Sequence, residues 1–249
     1  MPSLLFFAVI LLAVFATSFI SGILGMAGGM ILMGVLLALL PLPAAMMLHG
    51  ITQMASNGWR AWLWRRYVDW RVFRGYAYGA LLALALFAAV HFVVSKALAL
   101  IILGLTPFLG MALPTKLALN VDYRGRPLGC GVICTSLQLL AGVSGPLLDV
   151  FFVRSKMDRR GVVATKAMSQ TLSHLIKLVY FGAVVASADS AVSVELAVAC
   201  VALALVATTL SRKVLEGMDD SSFRKWSRWT VMSMGMLYLA SGAWMLVAG

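Results

Sequence analysis

Charge is what this sequence has least of. Only 12% of its 249 residues are Asp, Glu, Lys or Arg, against 62% hydrophobic ones, and the mean hydropathy is +0.96. A chain so poor in charge cannot cover itself with a polar surface, which excludes a water-soluble globule. Strict apolar/polar alternation is also missing. LLFFAVILLAVF and LLALALFAAV are unbroken apolar runs, which excludes the pattern of a membrane β-barrel. There are three cysteines, Cys130, Cys134 and Cys200, all in apolar surroundings without a neighbouring His or acid, so packing is their expected role and no metal site is expected. The three histidines, His49, His91 and His174, are too scattered for a catalytic centre. HExxH, GxSxG and nucleotide-binding patterns are absent, so neither an enzyme nor a cofactor is expected, with an intramembrane enzyme and a permease for a different small solute as the alternative readings. The first apolar run has no basic stretch before it and flows into further apolar segments, so it is expected to remain as a membrane segment.

What is present is a series of apolar runs. Set against Gly, Pro and charge breaks, they predict an all-α, polytopic membrane protein with segments at 4–21, 28–41, 44–65, 72–94, 97–112, 128–141, 145–153, 161–187, 191–211 and 229–248. The second, sixth and seventh are short. They adjoin the glycine-rich breaks SGILGMAGG and AGVSGP, which predicts half-helices meeting inside the membrane.

Basic residues collect in alternate connections: Arg60, Arg65, Arg66, Arg71 and Arg74; Lys116, Arg124 and Arg126; Arg154, Lys156, Arg159 and Arg160; Arg212, Lys213, Arg224, Lys225 and Arg228. These are 17 of the 20 Lys and Arg. Positive connections stay inside, so these four are expected in the cytoplasm and both termini outside, in the plasma (inner) membrane. The net charge of +11 is therefore a topology signal. The expected partner is the lipid bilayer, and no nucleic acid is expected.

The same map runs the first glycine break after an inward crossing and the second after an outward one. Sliding the sequence by 117 positions pairs Gly25 with Gly142, Gly28 with Gly145, Gln53 with Gln170, Ser56 with Ser173, Asn57 with His174 and Arg60 with Lys177. Two inverted repeats are expected, residues 1–112 and 128–249, joined by a cytoplasmic linker over 113–127. That ground plan belongs to secondary transporters, with a substrate site at the repeat interface near the midplane.

On a helix turning 100° per residue, His49, Gln53, Asn57 and Arg60 fall within about 80° of one another, and Lys166, Gln170, His174 and Lys177 repeat that face. Gln53 and Asn57 lie about 14 and 20 Å along a helix starting near 44, bracketing the middle of a core about 30 Å thick. One reading is interhelical hydrogen bonding, with Arg60 snorkelling to the interface. The other is a substrate pathway. Recurrence on both halves favours the pathway, as does an ammonium as deep as Lys177.

Half-helices starting at Gly28, with Gly29, and at Gly145, after Gly142 and Ser144, would aim free N–H groups and positive dipole ends at an anion. The same glycines also allow close helix packing. Asp149 lies inside a predicted segment; it is placed to pair with Lys166 or Lys177, to carry a coupled proton, as His174 also is, or to reach the interface. Fixed donors, cations and dipole ends describe a site for a small anionic substrate.

Taken together, SGILGMAGGM after the first helix, the WRRYVDWR turn, AGVSGP and RRGVVATKAMSQTLSHLIKLVYFGA give the chain a pattern that resembles the sulfite exporter TauE/SafE family of membrane permeases. The likeness covers nearly the whole chain. It implies transport, often export, of small sulfur-containing anions such as sulfite or organosulfonates, without ATP. By position it implies roles for Gly25, Gly28, Gly29, Gly142, Gly145, Lys166, Gln170, His174 and Lys177. Ala27 and Met30 flank only two adjacent glycines here, where members often carry a longer cluster.

Overall fold

Backbone N–H and C=O groups find no water in hydrocarbon, so apolar segments of this kind must fold as helices. The computed structural model describes residues 4–24, 27–112, 119–185, 192–217 and 220–248. Among these are ten helices and no strand: α1 (Leu4–Leu24), α2 (Ala27–Leu39), α3 (Leu42–Leu63), α4 (Trp70–Val90), α5 (Lys96–Ala112), α6 (Arg126–Ala141), α7 (Gly145–Phe152), α8 (Arg159–Val179), α9 (Val194–Gly217) and α10 (Asp220–Ala248). The expected all-α fold and its ten segments are borne out. The three short ones, α2, α6 and α7, have 13, 16 and 8 residues.

Local chemistry sets the ends. Asp69 caps α4 by accepting from the amides of Arg71 and Val72, and Asp158 caps α8 by accepting from that of Gly161. Four boundaries differ from expectation by four residues or more. Helix α4 stops at Val90, not 94, because His91 takes the left-handed conformation (φ 50) that ends helices. Beyond α8 the chain continues as a π-helical turn over Tyr180–Val184. Helices α9 and α10 run past the expected ends at 211 and 229, to 217 and from 220. Lys, Arg and Glu interrupt an apolar pattern but are good helix formers, so charge ends the hydropathy signal before it ends the helix.

Four helix pairs carry most of the packing: α4 on α6, α1 on α9, α5 on α10 and α3 on α8. Small residues let them approach. A Cβ on Gly79 would stand 2.0 Å from the Leu128 carbonyl oxygen, and one on Gly131 would stand 2.0 Å from that of Tyr76, so α4 and α6 meet backbone to backbone. Among the described residues, four helices are long and apolar enough to cross a membrane: α1, α4, α9 and α10. Helices α3 and α8 are as long, at 22 and 21 residues, but carry the polar stripes. They lie at the centre, where Gln53, Ser56, Asn57, Gln170, Ser173, His174 and Lys177 are all buried. The outer helices turn apolar residues such as Leu4, Leu86, Val198 and Leu237 outward. A multi-pass membrane protein with a polar interior is the result.

Candidate functional site

The site grows from the helix break after α6 and the start of α2. After α6, Gly142 takes φ 78, a left-handed conformation that glycine adopts without strain, and a Cβ there would fall 2.6 Å from Met33 Sδ. The turn frees the Gly142 carbonyl oxygen to accept from Gln138 Nε2 at 2.9 Å and from Lys177 Nζ at 3.0 Å. Helix α7 restarts at Gly145 after Ser144, whose hydroxyl donates to Gln138 Oε1 instead of capping its own helix. Of the first glycine-rich stretch, Gly25 lies outside the described residues, while Gly28 and Gly29 open α2.

Helices α3 and α8 bring their stripes against these helix starts. Lys177 is wholly buried and donates to His49 Nδ1 at 2.8 Å. The Gly29 carbonyl, 2.9 Å from His49 Nε2, only accepts, so Nε2 carries the ring proton and Nδ1 is the acceptor for Lys177. The His174 ring lies 5.4 Å from that of His49, centroid to centroid, and its Nδ1 is 2.9 Å from Gln138 Nε2. That amide is a donor, so the His174 proton sits on Nε2. Gln170 Nε2 donates to Ser144 Oγ at 3.3 Å, and Asn57 Nδ2 to the Gln53 backbone carbonyl at 2.9 Å. Behind α8, the hydroxyls of Tyr76 and Thr135 meet Ser173 Oγ at 2.6 and 3.2 Å and fix the helix's rotation.

Between these groups lies a small cavity lined by Ser21, Gly29, His49, Gln53, Asn57, Val143, Gly145, Gln170 and His174. Both stripes and both helix starts contribute to it. About 20 Å³ is open to a water centre, room for one or two waters. Among the described residues no carboxylate lines it. Gln53 Nε2 is buried with no hydrogen-bond partner among the described residues. A buried orphan donor costs about 1–3 kcal/mol, so its survival at a cavity wall points to something that binds there.

The expected site residues separate by position. Gln53, Asn57, Gln170, His174, Gly29 and Gly145 line the cavity. Lys177, Gly142 and Ser144 stand behind it, bonded to its lining or to one another. Gly28 packs on α1, where a Cβ would meet the Thr17 carbonyl oxygen at 2.0 Å. Lys166 is outside the lining and forms an ion pair with Asp149. Three participants were not singled out from sequence: His49 as a contact of Lys177, Gln138 and Ser21. The last two do carry a signal, since they occupy equivalent positions at the 117-residue offset, each just before a glycine break.

Neither the curated proteins nor the solved structures contain a match to the chain. A family model described as Sulfite exporter TauE/SafE matches residues 10–238. With that match over nearly all of its length, and with the helical membrane architecture above, the chain belongs to the sulfite exporter TauE/SafE family of membrane transporters.

Proposed function

We propose that this protein is a secondary transporter, working as an exporter, that carries a small sulfur oxyanion such as sulfite or an organosulfonate through the central cavity by alternating access. The observation that carries the reading is the lining itself: an orphan amide donor on Gln53, two imidazoles and the first turns of two half-helices, with no carboxylate. Such a wall favours an anion over a cation. Room for one or two waters is too little for a four-atom oxyanion, so on this reading the cavity must widen to load.

The contacts between helices support two inverted repeats, α1–α5 and α6–α10. Exchanging the repeats turns the α1 on α9 pair into α6 on α4, and it maps α3 on α8 and α5 on α10 onto themselves; all are main packing pairs. A site on the axis between repeats opens to one side, then the other, as the halves rock. With the basic connections in the cytoplasm, both termini lie outside the plasma membrane. For proton coupling, His174 at the cavity wall is better placed than Asp149, which is held by Lys166.

The test is ligand-dependent thermal stability of the purified protein against sulfite, thiosulfate, sulfoacetate, taurine, sulfate and chloride at fixed ionic strength. A shift confined to one or two sulfur anions is expected, about 2.7 kcal/mol of stabilisation at one hundred times Kd. Gln53→Ala and Gln170→Ala should remove it while leaving the ligand-free midpoint in place. No shift with any anion overturns the proposal. An imposed pH gradient should change flux in proteoliposomes, and indifference to it removes His174 as a coupling group.

A further inference from the structure

Resting on that reading, we infer a second anion station one helical turn beyond the central cavity, built by Arg60 and Lys166 and kept occupied by the Asp149 carboxylate until a small oxyanion displaces it. Three elements that line the cavity each carry a charged residue about one turn further towards the same end of the molecule. On α3 Asn57 leads to Arg60, on α8 Gln170 leads back to Lys166, and on α7 Gly145 leads to Asp149. Residues three or four apart share a helix face, so the three charges converge just past the cavity rim. All three lie towards the basic connections at 64–69 and 153–158, where α3 and α7 end and α8 begins.

The charges do not balance. Lys166 is paired with Asp149, whereas Arg60, within electrostatic reach of Lys166, donates through Nη2 to the Ser21 backbone carbonyl at 3.2 Å and has no carboxylate partner among the described residues. Two cations and one carboxylate leave one positive charge facing an anion. Ser21 also lines the central cavity, so Arg60 hangs directly over its rim. The Asp149 side chain is 53% exposed and that of Lys166 21%. A carboxylate that exposed leaves its partner at little desolvation cost, and the position it vacates on Lys166 suits another oxyanion. Asp149 is in this sense a tethered stand-in for the substrate, discouraging other ions from resting on Lys166 between transport cycles.

Among the described residues the opposite end has no such station. There Lys177 is wholly buried, with His49 and the Gly142 carbonyl as partners. An anion arriving from the basic-loop side therefore meets Arg60 and Lys166 first, then Gln53, Asn57, Gln170 and His174.

Sulfite binding to the purified protein, and sulfite flux in proteoliposomes resolved into KM and kcat, test this. Asp149→Asn removes the internal competitor and should tighten sulfite binding and lower KM about threefold or more. Arg60→Gln and Lys166→Gln should each raise KM about tenfold, as loss of a charge-assisted hydrogen bond does, with a smaller change in kcat; Lys166→Arg should recover most of it. Ligand-free thermal midpoints establish that each variant is folded. If Asp149→Asn weakens binding as much as Lys166→Gln does, the ion pair is a structural tie and the station is wrong. Wild-type binding indifferent to all three residues overturns the station and leaves the central site standing. No sulfite binding by the wild type overturns both.

Discussion

The two ends of the polar core are built from equivalent positions with exchanged chemistry. At the 117-residue offset His49 corresponds to Lys166, and Arg60 to Lys177. At one end this sets an imidazole against an ammonium. Such a pair hydrogen-bonds without a counter-ion, and it is sealed, with His49 1% and Lys177 0% exposed. At the other end the equivalent positions, Arg60 and Lys166, carry two permanent donors. Neither accepts, so each must look elsewhere: Arg60 to the Ser21 carbonyl, Lys166 to Asp149. The Lys166–Asp149 pair stays partly exposed, at 21% and 53%, where its charges cost less than in a fully buried core. Under the proposed two-repeat plan, exchanging one base for one amine leaves one end of the core buried and the other partly exposed.

The largest break in this comparison should come from Lys177→Met. Losing the ammonium leaves one acceptor, His49 Nδ1, without its donor, at about 1–3 kcal/mol. It also removes a buried cation, and replacing such a group by a well-packed apolar one is often neutral or stabilising. The Gly142 carbonyl keeps its bond from Gln138. Transport should fall about tenfold, because His49 at the cavity wall loses the ammonium that holds its ring, while the thermal midpoint stays near the wild type's. A midpoint that collapses with transport would show Lys177 to be a structural bolt. Lys166→Met, at the open end, should shift stability by about 1 kcal/mol or less.

Which parts of this were legible in the sequence follows from the solvent. In lipid, hydropathy alone forces helices, so the ten segments could be read off, as could the break around Gly142. Helical periodicity put Gln53 and Asn57 on one face and Gln170 and His174 on another, and all four line the cavity. What periodicity does not give is the distance between helices. Asp149 had two cations to choose from, and only the lateral placement of α7 against α8 settles on Lys166. Gln138 is one polar residue in an apolar helix, a pattern that ordinary packing also produces. Its role appears only when α6 lies beside His174. Gly28 and Gly29 read alike in sequence, yet one packs on α1 and the other faces the cavity.

The middle-sized effect sharpens the comparison at the two ends of α6. Gly142 and Gly125 both have positive φ, 78 and 80. A Cβ on Gly125 meets nothing within 4 Å, whereas one on Gly142 meets the sulfurs of Met33 at 2.6 Å and Met46 at 2.9 Å. Gly125→Ala should therefore cost only the left-handed strain, about 1–2 kcal/mol. Gly142→Ala should cost that plus a displacement of the two methionines next to Lys177, with a visibly lower midpoint and slower transport. Equal losses would mean that the core around Gly142 yields freely, and that the closed end is less tightly packed than its burial indicates.

The smallest effect belongs to the open end's outer rim, where the chain between α5 and α6 is tied to the connection before α8. Asp122 accepts from the Ser155 hydroxyl at 2.9 Å and from the Lys156 amide at 2.7 Å. Partial burial works to raise its carboxyl, but the bonds from Lys156 and Ser155, with Asn120 and the charge of Arg71, outweigh it and hold the group below the usual carboxylate range. A carboxyl depressed in the folded state stabilises above its unfolded pKa, near 3.9, and that contribution disappears as pH falls through the lower folded value. The wild type should thus lose a little stability on acidification below about pH 4 that Asp122→Asn does not lose, while the two have similar transport at neutral pH. If acid destabilises both alike, the tie at Asp122 contributes nothing measurable, and the open end is held only by helix packing and the Lys166 pair.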